Sequence, residues 1–281
     1  LGAFNEQTPD WLSFFMFTFF TDRDGKMQLE SLAQSGFDPL ARTTRFMLTE
    51  EAHHMFVGQS GVARVLQKTC DLMRANRIED PHEAERIRGL GVIDLPLIQR
   101  KLNFHFSVSL DLFGSELSTN AANFFNSGLK GRYRESEIDD DHRLVDDLYP
   151  VSKIVEGRIN TVEAPALPAL NMRLRDDYVR ECARGVERWN RVIEKAGVDF
   201  RLTLPHVAFN RAIGEFASIN AAPDGQLLED PAWLAQRDHF LPTADDGTYL
   251  QSLMQPVREA GKYASWIAPP ARPIDNQPED F

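Results

Sequence analysis

The run Trp11-Leu12-Ser13-Phe14-Phe15-Met16-Phe17-Thr18-Phe19-Phe20 is apolar on nearly every side. A helix without a polar face predicts deep burial. The pattern predicts a first helix over about 9–35, opened by Pro9-Asp10. A second helix starts at Asp38-Pro39, with Asp38 as N-cap and Pro39 at the first helical position. It runs to about Asn76, and Gly58 or Gly61 marks a bend. Residues 77–90 are charged and read as solvated. Pro96 opens a third helix that continues to about Phe125, where Asn126-Ser127-Gly128 ends it. The character changes near Pro150. Residues 151–162 read as a hairpin turning at Glu156-Gly157. Residues 169–196 return to helix and end at Gly197, while the chain beyond Leu202 is rich in Pro, Gly and Asp and takes no clear element. The fold class is mainly α. Residues 1–128 form a helical core, and 129–281 form a mixed α+β C-terminal appendage packed on it.

Composition narrows the partners. The chain has 281 residues, 42% of them hydrophobic, enough for a sizeable core. Its net charge of -11 argues against nucleic acid or an anionic membrane as a general partner. The ten apolar residues of 11–20 are too few to span a bilayer, which takes about 20. Cys70 and Cys182 make neither a disulfide framework nor a thiolate metal motif, which fits a reduced, cytoplasmic compartment. No signal peptide is expected. Leu1-Gly2-Ala3-Phe4 reads as the interior of a longer chain.

Candidate chemistry gathers in Thr49-Glu50-Glu51-Ala52-His53-His54-Met55. Two Glu-x-x-His registers overlap there, and that spacing aims a carboxylate and an imidazole the same way, one helical turn apart. At about 100° per residue, Thr44, Met47, Leu48, Met55, Gly58, Val62, Val65 and Leu66 share the Glu51–His54 side. The Glu50–His53 side has Phe46 and Val57 but then turns to Arg64 and Lys68. Glu51 and His54 therefore face the core. A buried ionised carboxylate needs a partner. A Glu–His hydrogen bond or ion pair meets that need, and so does a metal. Asp22 poses the same problem on the preceding helix, where Trp11, Phe15, Thr18, Phe19, Leu29 and Ala33 share its side. Either an ion pair with Lys26, one turn on, or a cation shared with Glu51 satisfies it. A calcium loop through Asp22-Arg23-Asp24-Gly25 fails, because Phe20 would occupy the first ligand position and Ser31 the twelfth.

Other groups carry less. Glu79-Asp80-Pro81-His82 holds an internal proline and reads as a solvated turn; Asp139 and His142 sit in a polar run. His105 and Asp111 lie on the third helix, where either suits a role orienting His54, although a satisfied core histidine is the simpler reading of His105. Lys130, Arg132 and Arg134, with Gly128 and Gly131, form a basic loop suited to phosphates, or simply a solvated one. Arg173 and Arg175 are weaker candidates for the same task.

Three stretches carry a family likeness: Thr18 to Lys26, Phe37 to Phe56, and Asn126 to Tyr133. With Leu170 to Tyr178 as further support, the chain resembles the oxygenase components of benzoyl-CoA epoxidases throughout. That resemblance implies a ferritin-like helical bundle with a carboxylate-bridged centre of two iron ions. Asp22, Glu51 and His54 would be iron ligands, with no catalytic residue assigned beyond them. It also implies epoxidation of the aromatic ring of benzoyl-CoA to the 2,3-epoxide with O2. A separate NADPH-dependent flavin and iron–sulfur reductase would supply the electrons. The aromatic wall from Trp11 to Phe20 would exclude water. Such bundles take two Glu-x-x-His pairs and two single carboxylates. Only one buried pair is present here. The chain is thus expected to be the C-terminal part of such a protein, with half the bundle and half the metal site, and inactive alone. Alternatives are a related aromatic acyl-CoA oxygenase and a ferritin-like iron-binding protein without catalysis. A helical interaction protein with a structural Glu51–His54 pair is the remaining one.

Overall fold

A computed structural model describes residues 2–5, 7–130, 147–259 and 262–270. A short helix α1 (Gly2–Asn5) precedes α2 (Trp11–Leu32), which occupies the centre of the molecule. Asp10 caps α2, its carboxylate accepting from the Ser13 amide and hydroxyl, each at 2.7 Å. The long α3 (Asp38–Ala75) lies along α2. Phe37 is its N-cap, and Asp38 falls in the first turn, where its charge suits the helix N-terminus.

The helix is continuous through Gly58 and Gly61, and these glycines serve packing. A Cβ on Gly58 would lie 2.6 Å from the Phe15 carbonyl oxygen and the Phe19 nitrogen, and one on Gly61 would enter the Phe15 ring. The two backbones thus approach as only glycine allows.

Residues 77–90, expected to be solvated, include α4 (Ala84–Arg88) and bury Ile78 and Ile87. Helix α5 (Leu95–Leu110) is capped by Asp94, whose carboxylate accepts from the Leu97 amide. It stops fifteen residues short of the expected end at Phe125. A 3-10 turn over Asp111–Phe113 leads to Gly114 at φ 78°, which breaks the helix, and α6 (Thr119–Asn126) is separate. Asp111 is held at this corner by Arg211 at 2.7 Å and by the Ala212 amide at 3.0 Å.

The hairpin is real and longer than expected. Strands β1 (Leu148–Val155) and β2 (Arg158–Pro165) pair antiparallel around Glu156 and Gly157, both at positive φ. Helix α7 (Leu170–Lys195) follows and ends at Gly197, at φ 70°. A small pair, β3 (Asn220–Ala221) with β4 (Leu227–Leu228), leads to α8 (Asp230–Phe240) and α9 (Ala244–Leu253).

The main core joins α2, α3, α5 and α7. Phe19 lies against Trp189 of α7 at 4.4 Å between ring centres, and Phe20 against Phe106 of α5 at 5.9 Å. Leu174, Tyr178, Cys182 and Ile193 of α7 share this core with Met16, Val65 and Leu102. The sequence beyond Leu202 is tied in by charge. Asp246 of α9 binds Arg88 at 2.7 Å and Arg100 at 2.8 Å. Among the described residues, no helix is long and apolar enough to cross a membrane.

Candidate metal centre

The packing of α2 along α3 decides where the candidate ligands meet. Asp22 comes from α2, and Glu51 and His54 come from successive turns of α3. One ligand atom from each lies within 4.8 Å of the other two. The His54 Nδ1 is 3.5 Å from the Asp22 carboxylate and 3.8 Å from that of Glu51. Both distances exceed a good hydrogen bond. One oxygen of Glu51 is buried with no hydrogen-bond partner among the described residues. Lys26 does not relieve Asp22: its ammonium lies 2.8 Å from Glu181 and 3.6 Å from Glu30.

Two negative groups thus share a poorly solvated space without a fixed cation. Burial, with the neighbouring Glu51 charge, pushes the Asp22 carboxyl up to about 7. Burial likewise raises Glu51, opposed by His54. Each side chain still has an open edge. Asp22 and Glu51 are 16% and 19% exposed, but His54 is 48% exposed. The helical wheel therefore indicates the direction, and the expectation that His54 is buried in a core is corrected. Glu50 and His53 are exposed outright. On the same half of α3, Phe46 and Phe56 are 75% and 67% exposed, so the described residues leave this stretch uncovered.

A cavity of about 390 Å3 opens beside Asp22 and His54, lined also by Thr8, Phe14, Phe17 and Thr18. Only part of the expected aromatic wall serves it. Phe15, Phe19 and Phe20 turn into the core, and Trp11 is largely exposed. The calcium-loop segment is ordinary helix, with Asp24 buried inside it.

Several other residues separate from this cluster. His105 is buried on α5 but lines a different cavity, and Asp111 is committed to Arg211, so neither orients His54. Lys130 turns inward, donating to the Gln28 side chain at 2.8 Å beside Asp24. Its ammonium is engaged there, inside the helical packing and not on an open loop. Arg132, Arg134, Asp139 and His142 lie outside the described residues. Arg175 is buried against Glu116 at 3.0 Å and is unavailable to a ligand. Sequence reasoning missed a donor-lined cavity between α1, α5 and α8, whose residues are scattered over 5–242. Lys101 and His105, four apart on one helix, are its only local signal.

A mainly helical protein with two carboxylates and an imidazole converging from adjacent helices has the donor set of a carboxylate–histidine metal protein. No family model matches the chain. Over all 281 residues it is 56% identical to benzoyl-CoA oxygenase component B of Aromatoleum evansii. The chain spans 59% of the length of that relative. The resemblance read from the three motif stretches thus extends across the whole chain.

Proposed function

We propose that Asp22, Glu51 and His54 ligate iron in a ferritin-like, carboxylate-bridged di-iron centre. In this reading the protein is the oxygenase component of an enzyme that epoxidises benzoyl-CoA. The observation that carries it is the buried, unpartnered Glu51 oxygen within one ligand shell of Asp22 and His54. A cation placed there would stabilise both carboxylates, since opposite charge counteracts the burial that raises them. Oxygen and imidazole donors suit iron. The three residues supply part of the donor set that such a centre takes.

When bound, the iron would supply activation of dioxygen. The overall change balances as benzoyl-CoA, O2, NADPH and a proton giving the 2,3-epoxide, water and NADP+. Electrons would come from a separate flavin and iron–sulfur reductase, in the cytoplasm. The chain's own part is positional. Glu51 and His54, held by one rigid helix, fix the metal edge, while Phe14 and Phe17 offer an apolar wall to an aromatic ring beside it. The Thr18 hydroxyl donates to the Phe14 and Phe15 carbonyls, which leaves its oxygen as an acceptor only.

Iron analysis of the purified full-length protein tests the site. Glu51→Ala and Asp22→Ala should each lower bound iron at least severalfold, with helix content unchanged by circular dichroism. Unchanged iron in both would refute the ligand assignment. Mass spectrometry of CoA esters after incubation with benzoyl-CoA, 18O2, reductase and NADPH tests the reaction. Labelled product should form, and no incorporation would refute the epoxidase reading. Comparison with other aromatic acyl-CoA esters separates a related oxygenase.

A further inference from the structure

A second cavity, of about 460 Å3, lies away from the metal cluster, between the start of the chain, α5 and α8. Its polar lining comes from Asn5, Gln7, Ser13, Lys101, His105, Asn210 and Arg237. The apolar remainder is Pro9, Phe104, Leu241 and Pro242. Among the described residues, two cations and no carboxylate line it, although the chain carries a net charge of -11. Acidic proteins do not concentrate donors in a concave site by average composition.

The two inner groups are built in. Lys101 is 9% exposed, and its ammonium donates to Ser13 at 2.8 Å with Asp10 at 3.5 Å. That ammonium has three donors, so capacity remains on the cavity side. His105 is 4% exposed and lines the cavity one turn from Lys101. Burial and the nearby Lys101 charge hold it neutral, with its pKa lowered to about 3, so it carries one N–H donor and one acceptor nitrogen. Asn210 is pinned by its amide to Ser107 at 2.9 Å, with the backbone at φ 49°. Arg237 sits exposed at the mouth, and no ion pair engages it among the described residues.

We propose that this cavity binds a phosphate-bearing ligand, with Lys101 and His105 holding phosphate oxygens inside and Arg237 closing over the outer ones. A guanidinium and an ammonium converging on one space, with neutral N–H donors between, match a phosphate monoester or diphosphate. The Phe104, Leu241 and Pro242 wall gives an attached base or chain an apolar bed. This site does not depend on the iron reading, because none of its residues touches Asp22, Glu51 or His54.

Calorimetric titration of the full-length protein with inorganic phosphate and, separately, with free CoA tests the proposal. Both should bind, with phosphate competing against CoA if the nucleotide end is what the cavity takes. If phosphate binds and CoA does not, the ligand is a smaller phosphate. Arg237→Ala, at an exposed position, should weaken binding about tenfold, the loss of one charge-assisted contact. His105→Gln retains an N–H donor and should bind within a fewfold of wild type, whereas His105→Leu should bind at least tenfold more weakly. Circular dichroism confirms that each variant is folded. Absence of binding by both probes, or equal binding by Arg237→Ala and His105→Leu, would overturn the proposal.

Discussion

Asp22 gives the sharpest test of how the cluster is balanced. In the metal-free protein its carboxyl is pushed from 3.8 to about 7, mainly by burial and then by Glu51. At about 1.36 kcal/mol per pKa unit, roughly three units amount to about 4 kcal/mol. The open edge at His54 admits solvent, and screening reduces this to about 1–2 kcal/mol. The sign follows from linkage. The folded state holds the Asp22 proton more tightly than the unfolded chain, so this contribution favours folding below about pH 4. It is lost as pH rises through about 7. Asp22→Asn keeps the shape and cannot ionise, so the metal-free variant should be more stable than wild type by about 1–2 kcal/mol at pH 8 and equal to it near pH 4. Urea unfolding of chelator-treated protein, followed by circular dichroism at both pH values, measures the difference. Adding Fe(II) without oxygen should reverse the order, since a cation bound only by the folded state stabilises it. A variant no more stable at pH 8 than at pH 4, relative to wild type, would refute the electrostatic account. Loss of the reversal by iron would separately refute Asp22 as a ligand.

The closely packed helices give a second test. Gly58→Ala should cost about 2–3 kcal/mol and lower iron binding, because its Cβ would press on the α2 backbone and move Asp22 from Glu51. Thermal melting and iron content should change together. Asp246→Ala leaves Arg88 and Arg100 without their shared carboxylate and should cost about 2–3 kcal/mol. Those arginines hold Asp246 below the usual carboxylate range. Its contribution should therefore be present above about pH 4 and fall away on acidification, measured by unfolding at pH 7 and pH 3.

The long helices were legible because their signals are local. Asp10, Pro39 and Gly197 mark ends, and a period near 3.6 separates Glu51 from Glu50. Asp22 was legible as a carboxylate on an apolar face. What escaped depends on residues far away in the chain. Gly114 ends α5 at a corner held by Arg211, about a hundred residues on. Lys130 turns toward Gln28 and Asp24, about a hundred residues back. The α5–α8 cavity draws each wall from a different element, so no window of sequence contains it.

The same limit explains His54, and it bears on how the cluster works. A helical wheel tells which residues share a side, but it does not tell how far along the helix that side is covered. On α3 one stripe changes its role midway. From Gly58 to Met73 it is core, closed by α2 and α7; from Thr44 to Met55 it carries the charged cluster beside exposed Phe46 and Phe56. The covered half fixes the helix against α2 through Gly58 and Gly61, one turn and two turns beyond His54. This close packing lets a rigid core set the separation of Asp22 from Glu51. Burying the cluster fully without a cation would raise the desolvation cost of both carboxylates. Exposing it fully would relax their raised pKa values and weaken their demand for a metal.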